Sequence, residues 1–231
     1  MLLKLLLVAL VGGALALDRT AAFQLMVSRP LVASPLIGWL LGDLATGLKV
    51  GALIELVWIA RLPLGAALAP NEALAGVVAP ALVLLPEPEV GPASSPSIVV
   101  AILFALMVGG LTARLDGLIR RVNILLAHWA DRKVEEGRIE GVEDINLMGL
   151  IVSYGSYFWA LLASLAVGVY LLRWMNPLLT QGAGPSWDMN LFIFPLVGIS
   201  AVLALINVRW KLPLFSLSFT LGGFFLWLLL G

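Results

Sequence analysis

Residues 28–80 most constrain what this chain can fold into. The stretch is apolar enough to lie in a bilayer. Yet it holds Arg29, Asp43, Lys49, Glu55, Arg61 and Glu72, and Pro30, Pro35, Gly38, Gly42, Gly47, Pro63, Gly65 and Pro70 punctuate it. An ordinary spanning helix is apolar for about 20 residues and has few charges or none. Ionisable groups at membrane depth are costly, face the protein interior or water, and mark transport paths. Broken backbone at that depth is tolerated only where protein or a water-filled cavity covers it. The pattern therefore describes either a run of poor helices joined by turns or a substrate-handling core.

Composition supports the membrane setting. Of 231 residues, 61% are hydrophobic and 12% charged, against about a quarter charged in soluble domains. We read a single integral membrane domain over residues 1–231, long enough for about six to eight spanning elements. Net charge is zero, so no global field favours nucleic acid. The chain has no cysteine and one histidine, His128. That excludes disulfides and thiol nucleophiles and argues against a histidine-rich metal site; no cofactor, metal or catalytic residue is expected. Residues 1–17 resemble a signal peptide, but Asp18 and Arg19 lead straight into more membrane-like sequence, which favours a retained first helix.

The core reads as a series of short arms. Leu31 to Leu41 is too short to cross about 30 Å of hydrocarbon as a helix, and Pro30 and Pro35 restrict it further; it suits a re-entrant or broken element. Asp43 is placed to cap a second arm, Leu44 to Ala60. Within it Lys49 and Glu55, six residues apart, lie on different helix faces and need separate partners. Pro70 opens a third arm, with Asn71 and Glu72 beside exposed backbone N–H groups. Broken helices that gather main-chain donors and side-chain acceptors suit a polyhydroxylated ligand. The plainer alternatives stay open: a structural ion pair for Glu55, and a capped helix with an acidic first turn for Asn71-Glu72.

Beyond the core, Ser97 to Leu118 is the clearest span. Residues 114–145 form a charged amphipathic connection, placed in the cytoplasm by Arg114, Arg120 and Arg121. It suits the membrane interface or a soluble partner. A further span is expected over Asn146 to Leu172, then an external loop from Arg173 to Asp188. Two last apolar segments, Met189 to Asn207 and Pro213 to Leu230, flank a cytoplasmic turn at Arg209-Trp210-Lys211.

Several segments in order carry a resemblance: Leu17-Asp18-Arg19-Thr20, Ser28-Arg29-Pro30-Leu31-Val32, Pro35-Leu36-Ile37-Gly38, Gly42-Asp43, Thr46-Gly47, Gly51 to Leu56, Pro63 to Ala67 and Ala69 to Ala75. Through them the chain resembles the IIC subunit of the mannose/fructose/sorbose family of the bacterial phosphoenolpyruvate-dependent sugar phosphotransferase system. The match is strongest over residues 5–80. It implies an all-α polytopic protein of the bacterial cytoplasmic (inner) membrane, built from transmembrane helices with re-entrant or broken helical hairpins. It implies a sugar pathway for a hexose-like substrate shared with a IID membrane subunit in an oligomeric complex. Soluble IIA and IIB proteins relay phosphate from the phosphocarrier protein, and IIB phosphorylates the sugar.

On that basis Asp43, Glu55, Asn71 and Glu72 are the candidate substrate-binding residues. Arg29, Lys49 and Arg61 are candidate structural or electrostatic supports, with Arg29 expected to hold the broken helix through backbone carbonyls. Many relatives have aspartate where this chain has Asn71. That departure motivates one alternative function, a regulatory or sensory membrane subunit with the same fold and little sugar uptake.

Overall fold

The computed structural model describes residues 1–22, 24–59, 69–85, 95–138 and 140–182, and the single positions 199, 217 and 220. Arg61, the loop at 86–92, and the segments expected over 189–207 and 213–230 fall outside these residues or almost wholly so. Every described element is an α-helix: α1 Leu2–Leu17, α2 Pro30–Leu41, α3 Leu44–Trp58, α4 Glu72–Leu84, α5 Ser95–Glu135 and α6 Val142–Gly182.

Helix α4 is the centre of the bundle. It contacts each of the other five helices, and every residue from Ala73 to Val83 is buried. A helix apolar on all sides has no solvent face to offer and is stable only when enclosed. Its one internal defect is Pro80, which has no N–H to donate to the carbonyl four residues earlier. That carbonyl belongs to Gly76, and the buried Ser34 hydroxyl donates to it at 2.6 Å from α2. The proline thus creates an orphan acceptor and the neighbouring helix satisfies it. Ser34→Ala should leave the carbonyl unpaired and cost about 1–3 kcal/mol; thermal unfolding of the purified protein in detergent measures the loss.

Helices α2 and α3 form a tight antiparallel hairpin about Gly42, which ends α2 in the left-handed region at φ +99°. Glycine takes that conformation without a Cβ penalty. The two backbones nearly touch. A Cβ added to Gly47 would meet the Ser34 carbonyl oxygen at 2.6 Å, and one on Gly51 the Pro30 oxygen at 2.6 Å. Small residues four apart permit this close approach in membranes.

Asp43 caps α3 as the sequence suggests. Its carboxylate accepts the Thr46 hydroxyl at 2.6 Å and the Thr46 N–H at 2.9 Å. Those two bonds satisfy the carboxylate and an otherwise orphan N–H of the first turn. Asp43→Ala should cost about 0.5–2 kcal/mol, read as a fall in the melting temperature of the purified protein in detergent.

Helices α5 and α6 are long and apolar enough to cross a bilayer. At 41 residues each, they run about 60 Å, twice the hydrocarbon thickness. The charged stretch expected at 114–145 is helical as far as Glu135, continuous with the span before it, and the chain turns at 136–137 and 140–141. Likewise, the external loop expected from Arg173 is helical through Gly182. Pro177 is the only proline in α6, and the turn-forming residues cluster after Gln181, so nothing earlier stops the helix.

Candidate functional site

The loop after α1, the starts of α2 and α4, and the middle of α5 and α6 meet at one place. Two adjoining polar networks result.

The first centres on Asp116, which is 4% exposed on α5. Arg19 Nη1 donates to its Oδ2 at 2.5 Å. Asn71 Nδ2 donates to Oδ1 at 3.0 Å and to Oδ2 at 3.3 Å. The Tyr157 hydroxyl of α6 donates to Oδ1 at 3.1 Å. A carboxylate has about four lone-pair sites, and all four are engaged. Arg19 also donates to the carbonyls of Ala69 and Pro70 at 3.3 and 3.2 Å. One acidic side chain thereby ties the segment entering α4 to α1, α5 and α6.

Asn71 is fully committed within this network. Its Oδ1 accepts the Leu74 N–H and caps α4, its amide nitrogen faces Asp116, and its backbone N–H donates to Gly109 at 2.8 Å. It is 0% exposed. An asparagine can do this where an aspartate cannot: it caps with oxygen while donating to a carboxylate behind it.

The second network lies one residue further on. Arg29 Nη1 stands 3.4 Å from Glu72 Oε2 and 3.5 Å from Glu55 Oε1. Glu55 also accepts the Leu31 N–H at 3.3 Å, an unpaired donor of the first turn of α2. Among the described residues the Arg29 guanidinium pairs with these two carboxylates, where backbone carbonyls were the expectation. The antiparallel hairpin explains the meeting, since it returns the end of α3 to the start of α2. Asp43 is capping at the opposite end, twelve residues from Glu55, roughly 18 Å along the helix. Lys49 is exposed on α3. The structure thus joins Arg29, Glu55 and Glu72, places Asn71 directly behind them, and leaves Asp43 and Lys49 apart.

A cavity of about 370 Å³ opens against this network, with Arg19, Gln24, Arg29, Glu72 and Arg120 in its wall. A second, of about 600 Å³, adjoins it and reaches Asp116 and Tyr157. Gln24 and nearby Met26 have φ of +54° and +62°, a conformation that costs a non-glycine residue roughly 1–2 kcal/mol. Asp18 holds the loop there, accepting the Leu25 N–H at 2.7 Å and the Ser28 N–H at 3.1 Å. Backbone strain maintained beside a polar cavity is characteristic of ligand sites.

Sequence reading missed Asp18, Arg19, Gln24, Asp116 and Tyr157 as parts of this centre. A signal existed for Asp116, the one acidic residue within the span read over Ser97 to Leu118. It was counted instead with the charged stretch that follows.

The chain is similar to known proteins over its full length. The family model described as the PTS system sorbose-specific IIC component matches residues 2–231. The sorbose-specific EIIC component of Klebsiella pneumoniae is 28% identical over 202 residues, covering 87% of this chain and 73% of that protein. The fructose permease IIC component of Bacillus subtilis is 28% identical over 228 residues, covering 96% and 78%. Among solved structures, a mannose transporter ManYZ determined with microcin E492 superposes with a TM-score of 0.59 at 22% identity, covering 97% of this chain and 87% of that one. That likeness concerns the fold. With the family match spanning essentially every residue, the chain belongs to the sorbose-type IIC component family of the PTS.

Proposed function

We propose that the pocket walled by Arg29 and Glu72, with Glu55 paired to Arg29 beside it, binds the sugar that this subunit moves. Membership of the family makes the chain a membrane IIC component, the sugar-translocating part of a phosphotransferase system. The observation that supports this location is the pairing of two carboxylates with one arginine beside a cavity of about 370 Å³, within the range of small-ligand sites. Carboxylates accept from sugar hydroxyls, and the guanidinium donates to them. A hexose needs such a mixture, because each hydroxyl both donates and accepts.

In this reading Asn71 positions Glu72 by capping α4, while Asp116 and Arg19 fix the Asn71 side chain in turn. Asp43 shapes the hairpin tip, and Lys49 faces outward. The α2–α3 hairpin is re-entrant: its arms, about 18 and 22 Å long, are too short to cross, and it delivers polar ends to membrane depth. Residues 28–80 form the substrate core, and the charged half of α5 marks the cytoplasmic side of a multi-pass inner-membrane subunit.

The working assembly pairs this chain with a IID membrane subunit, while IIA and IIB bring phosphate from the phosphocarrier protein. The test is phosphoenolpyruvate-dependent phosphorylation of a hexose panel by vesicles containing all the subunits. At least one hexose should be phosphorylated only when this chain is present. An assembled complex inert to every hexose would refute the proposal.

A further inference from the structure

The seam between α5 and α6 contains a polar atom that neither the fold nor the pocket explains. Among the described residues, Asn123 Oδ1 is the only buried side-chain nitrogen or oxygen without a hydrogen-bond partner. Native proteins pair such atoms, and an orphan calls for a functional account. Asn123 lies seven residues beyond Asp116, two turns along the same face of α5. Its oxygen faces Gly149 of α6, where an added Cβ would lie 3.4 Å away. The nearby Ser153 hydroxyl cannot help, because it donates to the Gly149 carbonyl at 2.8 Å.

The orphan sits where two cavities join. The 600 Å³ cavity beside Asp116 and Tyr157 and a further one of about 300 Å³ share Ala21, Asn123, Ala127 and Ser153 in their walls. The same 600 Å³ cavity shares Arg19, Thr20, Gln24 and Arg120 with the Glu72 pocket. The spacing explains the opening. Asn123, Ala127 and Ala130 recur every three to four residues on α5, as Asn146, Gly149 and Ser153 do on α6. Facing rows of small and short polar side chains would ordinarily let two helices close; here they line space. From Asp116 to Ala130 the opening follows the helix for about 21 Å.

We propose that this seam is the route by which sugar leaves the Glu72 pocket, and that Asn123 is a second hydroxyl-binding subsite on the way. The inference rests on the pocket assignment above. The Asn123 oxygen is an acceptor without a donor, closed off against Gly149 in this arrangement, and a sugar hydroxyl pairs with it when α5 and α6 part at that contact. Small apolar neighbours provide surface for the sugar's C–H faces without holding it, as a transit site requires.

The absence of cysteine permits a direct test in the full complex, with the wild-type complex controlling for thiols on other subunits. Ala127 is exposed, so Ala127→Cys should fold, and its own turnover before labelling is the reference. A small hydrophilic thiol reagent should then lower turnover about tenfold while equilibrium hexose binding changes less than about twofold. The transported hexose should slow the labelling. Asn123→Leu should raise the melting temperature, because it removes a buried unpaired group, and lower turnover about fivefold, the worth of roughly one hydrogen bond.

A labelled Ala127→Cys complex that turns over at full rate would overturn the proposal, as would an Asn123→Leu variant as active as wild type. Either result, combined with lost hexose binding in Glu72→Gln, leaves the pocket standing and removes only the seam. A block by the label together with a fully competent Glu72→Gln supports the seam as a route and moves the sugar site elsewhere.

Discussion

Asp116→Ala should be the most destabilising single substitution in the described part of the molecule. It strands the Arg19 guanidinium, the Asn71 amide and the Tyr157 hydroxyl in a site from which solvent is largely excluded. Breaking a buried pair by removing one partner costs about 3–5 kcal/mol, most of it from the charge left behind. The effect should show as a large fall in melting temperature, and as protease sensitivity at the entry to α4, where Arg19 also holds the Ala69 and Pro70 carbonyls. A double-mutant cycle separates this from simple loss of packing. Asp116→Leu with Arg19→Met should be more stable than Asp116→Leu alone, because the second change removes the stranded charge. If the two losses simply add, the ion pair is not what holds the centre together.

The second large effect concerns activity. Glu72→Gln keeps the shape and one acceptor but removes the charge that faces Arg29 at 3.4 Å. A hydrogen bond to a charged group is worth about 1.5–3 kcal/mol, so hexose binding should weaken by roughly 10- to 150-fold. Glu55→Gln should weaken it less, since Glu55 also spends an oxygen on the Leu31 N–H and glutamine can still accept there. Neither change should disturb assembly with the proposed IID subunit, because Arg29 retains one carboxylate in each. The double variant leaves Arg29 without either, and should lose stability as well as binding. Wild-type turnover in both single variants would remove these carboxylates from the sugar site.

The short arms of the core were legible because their limits are local. Pro30, Gly42, Asp43 and Asn71 each stop or start a helix through their own backbone or side-chain chemistry, and the structure begins or ends helices at each of them. The grouping of Arg29 with Glu55 and Glu72 was harder to read. It depends on the hairpin returning α3 to the start of α2, a long-range consequence of close contacts at Gly47 and Gly51. Asp116 was harder still, because its meaning lies wholly in partners 41, 45 and 97 residues away. Charge ends only the favourable contact with lipid; the helix itself runs on to Glu135, and Gly137 and Gly141 then take positive φ.

The departure at Asn71, which motivated a regulatory reading, has a structural account. The residue caps α4 with its oxygen and donates to Asp116 with its nitrogen, and Glu72 beside it supplies the carboxylate that faces the cavity. An aspartate at position 71 would set two carboxylates against each other in a buried site, which proteins resolve by leaving one protonated. The chain needs no loss of transport to explain its asparagine.

The central claim is that sugar binds where Arg29, Glu55 and Glu72 meet. Equilibrium binding of a hexose panel to the purified complex of this chain with the proposed IID partner, comparing wild type with Glu72→Gln, tests it most directly. The account predicts that wild type binds at least one hexose and that Glu72→Gln binds it at least about tenfold more weakly at an unchanged melting temperature. Equal affinity in the two proteins would contradict it.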